Sequence, residues 1–139
     1  MDSFTESWMK KCSWCTVDAG LLVLRIGVAG IFILSGYMKV AAMGMTVTQF
    51  GSMGFAPFWA YLVTAVELLG GIAVLLGAWT RTASALLTII MIVAVWTIAR
   101  IPGIDTMARM GMIMTPIAVF FSSLALTLAG AGKHAVMKE

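Results

Sequence analysis

Charge is scarce in this chain: 11% of its 139 residues are Asp, Glu, Lys or Arg, against a hydrophobic content of 61% and a mean hydropathy of +1.02. So few charges cannot solvate a globular surface, and the solvent for most of the chain is lipid. The net charge of +3 is spread along the loops without a basic cluster, which excludes nucleic acid as a partner. Only two cysteines occur, Cys12 and Cys15, too few for a disulfide framework and close enough for a local CxxC pair. With His134 they make three candidate ligands where zinc wants four, so no metal site is assigned. There is no Ser-His-Asp set, paired-carboxylate site, phosphate-binding glycine loop or haem motif. No small-residue cleavage site follows an early apolar core, so residues 1–19 read as a retained polar leader.

What the chain has is four long apolar runs, at about residues 20–40, 57–78, 82–99 and 110–130. Each approaches the ~20 residues a helix needs to cross a ~30 Å hydrocarbon core. Backbone groups in lipid must be satisfied within the segment, and the runs lack the alternation of a barrel, so the expected fold is all-α, an integral membrane four-helix bundle over 20–130. A polar tail, 131–139, follows. The amphipathic stretch 41–56 predicts a short interfacial helix between the first and second spans. Pro116 inside the fourth run is tolerable in a membrane helix, as a kink. Four crossings place both termini on one side, with Lys10, Lys11, Arg81, Lys133 and Lys138, against Lys39, Arg100 and Arg109 on the other. The excess of cations predicts cytoplasmic termini.

One carboxylate, Glu67, stands in the middle of the second run. A charge at the centre of a membrane helix costs about 2.5–3.5 kcal/mol on insertion scales, so it is expected to face protein and to be paired. Helical spacing puts Arg25, Ala29, Phe32, Gly36 and Lys39 on one face of the first span, and Ala60, Thr64, Glu67, Gly71, Val74 and Ala78 on one face of the second. On the fourth span the small residues Thr115, Ala118, Ser122, Ala125 and Ala129 form a comparable row, expected to face inward. Counting each residue from the end of its own run brings Arg25 and Glu67 within reach, so an Arg25–Glu67 ion pair is expected. That pair reads either as structural glue or as the lining of a site for a quinone, a proton or another polar ligand. Arg25, Lys39 and Glu67 are the candidate binding residues, and Glu67, Arg25, Cys12 and Cys15 the candidate catalytic ones.

Lys10 and Lys11 favour the thiolate of Cys12, so the CxxC pair reads as an ordinary cytoplasmic pair, a dithiol redox couple or half of a shared metal site. The methionines near the outer loops (Met43, Met45, Met53, Met107, Met110, Met112) read as packing, with soft-metal capture the alternative.

The pattern LRIGVAGIFILSGYMK around Arg25 and Lys39, the loop FGSMGFAP at 50–57 and above all VELLGGIAVLLGAWTR from Val66 to Arg81 resemble the DoxX family over about residues 20–100. The resemblance implies a bacterial inner-membrane protein associated with redox, thiol or sulfur chemistry, with quinone as the implied cofactor and another membrane or membrane-associated subunit as the implied partner. The alternatives are a non-catalytic scaffold of a larger complex and a small transporter or metal handler. Whether it is an enzyme stays open at this point.

Overall fold

The computed structural model describes residues 16–137. Cys12 and Cys15 lie outside the described residues, as do Lys10, Lys11 and Lys138. The regular elements described are five α-helices: α1 (Val17–Ala41), α2 (Met43–Ser52), α3 (Pro57–Leu76), α4 (Thr80–Ala99) and α5 (Thr106–Ala129). All except α2 are long and apolar enough to cross a membrane. The chain is therefore a multi-pass membrane protein in a lipid bilayer. Val23, Leu34, Leu69, Ile89, Phe121 and Leu128 point outward, as side chains facing hydrocarbon should. The short α2 is the amphipathic helix between the first two spans, and it buries Thr46.

Local chemistry sets the helix ends. Thr16 caps α1 by accepting from the Ala19 amide at 3.2 Å, Pro57 opens α3, and Asp105 caps α5 by accepting from the Met107 amide at 3.1 Å. α3 stops at Gly77, whose φ of 73° is the left-handed conformation that closes a helix most cheaply with glycine. α5 continues through Pro116.

The closest pairings are α1 with α3 and α4 with α5; contacts of α3 with α4 and of α1 with α5 close the ring. The core consists of Val28, Ala29, Phe32, Val74, Ala83, Leu87, Val119 and Leu126. On α5 the inward row is Val119, Ser123 and Leu126, and this corrects the sequence expectation. Thr115, Ala118, Ala125 and Ala129 are exposed and Ser122 half-buried: the inward row lies one position, about 100° of helix rotation, beyond the expected one, so smallness alone did not mark the contact face.

Two glycines fix the register of α1 against α3. A Cβ on Gly36 would lie 3.1 Å from the Leu68 backbone nitrogen, and one on Gly71 would lie 2.9 Å from Ile33 Cγ1 and 3.1 Å from the Ile33 nitrogen. These contacts put Val28 level with Leu76, the last residue of α3. About eleven residues of α1, roughly 16 Å of helix, therefore run on past the end of α3. The segment after α5 folds back into the space below α3. Gly130 and Gly132, both at positive φ, turn it inward, the Lys133 amide donates to Asp18 Oδ1 at 3.1 Å, and the Val136 amide donates to the Leu76 carbonyl at 3.1 Å. We call this end of the bundle, where α1 begins, the base.

Gly36→Leu should lower the stability of the purified protein by about 1–3 kcal/mol through overpacking. Gly27→Leu, on the same helix where a Cβ meets nothing within 4 Å, should cost far less. Thermal unfolding in detergent compares them, and equal losses would remove Gly36 as a determinant of register.

Candidate functional site

Glu67 lies on the buried face of α3 with Ala60, Thr64, Gly71 and Val74. Its partner comes from the far end of α1. Lys39 Nζ donates to Glu67 Oε2 at 2.5 Å and to Ser35 Oγ at 2.6 Å, and Ser35 Oγ donates to the same Oε2 at 3.1 Å. Lys39 and Ser35 are four residues apart, one above the other on α1, so a single helix face presents both donors to the carboxylate. Lys39 also stands in the last turn of α1, where the helix dipole favours a cation. The side chain of Glu67 is 4% exposed and that of Lys39 26%. The pair is thus asymmetric, with an inner carboxylate and a partly exposed lysine side chain. An ammonium carries three protons, and Ser35 and Glu67 take two of them.

Arg25 does not pair with Glu67. The register set by Gly36 and Gly71 puts Glu67 level with Tyr37, about twelve residues or ~18 Å along α1 from Arg25, beyond the reach of the two side chains. The expectation assumed that the two helices end flush, and their stagger overturns it. Arg25 is fully buried at the base, where it donates from Nε to the Val74 carbonyl at 3.0 Å, from Nη2 to Leu75 at 2.8 Å, and from Nη1 to Ala131 at 3.0 Å and His134 at 3.1 Å.

The last four carbonyls of a helix have no partner within it. In α3 each finds one: Ala73 accepts from the Ala78 amide, Val74 from Gly77 and Arg25, Leu75 from Arg25, and Leu76 from Val136. One buried cation therefore ends α3 and ties the returning segment 131–134 to it. Gly77 lies directly over this contact, since a Cβ there would fall 2.5 Å from Arg25 Nη2 and 2.8 Å from Ala135 Cα.

Of the sequence candidates, the structure brings Lys39 and Glu67 together, holds Arg25 apart in a packing role, and leaves Cys12 and Cys15 outside the described residues. Ser35 was missed by sequence reasoning, although its position one turn before Lys39 was a usable signal. At the end opposite the base, Arg100 stacks on Trp96 at 4.0 Å and Arg109 donates to the Ile101 carbonyl at 2.9 Å, so both cations serve the α4–α5 loop. Among the described residues no group of three or more His, Cys, Asp or Glu lies close enough to hold a metal ion.

These features define a class: a four-helix, multi-pass membrane protein with a Lys–Ser–Glu cluster in the seam between its first and second spans. The DoxX family model matches residues 20–100, more than half of the chain, from α1 to the end of α4, and the chain belongs to the DoxX family. It is 37% identical over 81 residues to "Putative oxidoreductase CatD" of Bacillus subtilis (strain 168), covering 58% of this chain and 60% of that one. It is 38% identical over 65 residues to "Inner membrane protein YqjF" of Escherichia coli (strain K12), covering 47% and 50%. The chain thus spans only half to three-fifths of the length of these relatives. No solved structure matches it.

Double-mutant cycles separate the two cations. Lys39→Met and Glu67→Gln share a contact and should show a coupling of about 0.5–3 kcal/mol in detergent unfolding, whereas Arg25→Met and Glu67→Gln, with no common partner, should add within ~0.5 kcal/mol. Strong coupling of Arg25 to Glu67 would contradict the observed register.

Proposed function

We propose that this DoxX-family protein is a redox-associated subunit of a bacterial inner membrane, and that the Lys39–Ser35–Glu67 cluster binds the polar head of a lipid-soluble electron carrier of the quinone class. The observation that carries the reading is the asymmetry of the ion pair. Here the carboxylate is closed off, while the lysine side chain is a quarter exposed. A bilayer-dissolved ligand with a carbonyl oxygen meets a donor already held in place.

The residues fit such a group in donor type and position. Lys39 would donate to a ring oxygen, and Glu67 with Ser35 would hold the ammonium in its rotamer and supply the counter-charge that makes an intramembrane lysine tolerable. A bound quinone would supply two-electron, two-proton acceptor chemistry. Glu67 and Lys39 would be the ionisable pair available to it, and intramembrane ionisable residues of this kind serve proton relays. The name of the Bacillus subtilis relative, an oxidoreductase by its printed words, agrees with the redox reading, and that of the Escherichia coli relative agrees with the location.

The electron donor belongs to a partner in this proposal. The spanning helices, α2 and short connections take up the described chain, so little of it stands outside the bilayer to hold a soluble substrate. Cys12 and Cys15 would serve on the same side as the donor, as a dithiol couple.

Purification in a mild detergent, followed by solvent extraction and quantification of bound quinone, tests the reading. Wild-type protein should carry quinone near one per chain, and Lys39→Gln should lower that content about tenfold while the protein stays folded. Absence of quinone from wild type, or equal content in the variant, would refute it.

A further inference from the structure

The seam between α4 and α5 carries polar groups that the Lys39–Glu67 cluster does not use. Thr80 and Ser84 of α4 and Ser123 of α5 are completely buried, and among the described residues their hydroxyls have no hydrogen-bond partner. We propose that these three hydroxyls form an enclosed site for a bound water molecule, which links α4 to α5.

The first observation is the contrast with the other hydroxyls of the bundle. A serine or threonine inside a helix can bond back to the carbonyl four residues earlier. Thr64 does so to Ala60 and Thr88 to Ser84, both at 2.7 Å. On α5, either side of Ser123, Ser122 donates to the Ala118 carbonyl at 2.8 Å and Thr127 to that of Ser123 at 2.9 Å. Ser84 and Ser123 have such a carbonyl behind them and do not take it, and Thr80, the first residue of α4, has none within its helix. Their hydroxyls are left for a partner beyond their own helices. In a medium without competing water a lone buried hydroxyl is costly, so three of them call for a shared partner.

The second observation is that the three converge. Thr80 and Ser84 are one turn apart on the buried face of α4. The α4–α5 pair is antiparallel and held at both ends: Arg109 donates to the Ile101 carbonyl at 2.9 Å, and a Cβ on Gly130 would fall 3.1 Å from Arg81 Nε. Counted from the loop between the helices, Ser84 lies fifteen residues before Ala99 and Ser123 seventeen after Thr106, roughly 22 and 26 Å of helix. The two serines therefore stand within about one turn of each other in height.

The third observation selects the ligand. No charged residue is among the buried positions of α4 or α5, so an ion there would have no counter-charge and the ligand is neutral. Leu87 and Val119 stand about one turn further from the base than the serines, and Leu126 about one turn nearer to it. Apolar side chains thus bound the site along the seam, which limits it to a small molecule. A buried water makes about three hydrogen bonds, and the two helices offer three hydroxyls that each donate or accept.

The experiment uses the full chain in a neutral detergent, with threonine methyls labelled for nuclear magnetic resonance. Overhauser transfer from water to those methyls is measured, together with the unfolding temperature. The Thr80 methyl should receive magnetisation from water. Those of Thr64 and Thr88, also buried but with hydroxyls bonded to their own helices, should not. Ser84→Ala and Ser123→Ala should each weaken the Thr80 signal about threefold or more, because the water loses a partner. Ser123→Ala should also lower the unfolding temperature relative to Ser122→Ala, the same change one position away. A Thr80 methyl as silent as that of Thr64 would overturn the proposal. So would a Thr80 signal unchanged by both serine variants, which would trace it to water outside the bundle, or a Ser123→Ala protein as stable as Ser122→Ala. The comparison of the three methyls needs no substitution, and Ser84→Ala and Ser123→Ala each serve if the other fails to fold.

Discussion

A helix that ends inside a membrane bundle must dispose of four carbonyls that have no partner of their own, and the arrangement of this protein follows from how α3 does it. The glycine contacts of Gly36 and Gly71 offset α3 from α1, so that α3 stops short of the base and about eleven residues of α1 run on without α3 beside them. Arg25, on that overhanging stretch, reaches the exposed carbonyls of Val74 and Leu75, and the chain after α5 fills the remaining space. In a medium with no competing water each unsatisfied carbonyl would cost several kcal/mol, so a fully buried cation that serves four carbonyls is well placed. The charge itself is spread over carbonyl dipoles from two segments.

The same offset decides what Glu67 meets. Had the helices ended flush, the only cation within reach would have been Arg25, and the pair would have been sealed in the interior. Displaced along α1, Glu67 meets Ser35 and Lys39 near the opposite end, where the lysine stem reaches the bundle surface. One packing contact thus separates two intramembrane cations into two roles: Arg25 terminates a helix, and Lys39 joins a cluster that can reach a ligand. The interior remains polar elsewhere too. Thr80, Ser84 and Ser123 are completely buried on α4 and α5, with hydroxyls that find no partner among the described residues, beside the apolar core residues Ala83, Leu87, Val119 and Leu126.

Much of this was legible in the sequence. Four apolar runs of spanning length, an amphipathic stretch between the first two, and single charges spaced to share a helix face were enough for the four-helix membrane fold, because lipid permits few alternatives. The inward faces of α1 and α3 could be read from glycine and alanine beside the charges. The same reasoning failed on α5, where small residues line the exposed face and Val119, Ser123 and Leu126 turn inward. The packed row of α5 lies one position along from the small-residue row, and the face it meets includes small residues too, so size alone does not pick the contact face.

The sequence by itself led to the expectation that Glu67 would face protein and be paired, since a charge at the centre of an apolar helix is costly otherwise. Which cation it took, only the tertiary structure decided. Arg25 and Lys39 lie on one face of α1, fourteen residues apart, and periodicity cannot choose between them. The choice rests on the axial offset of two packed helices, a translation of roughly ten residues set by where a glycine admits the neighbouring backbone, and no feature of either helix read alone contains that distance.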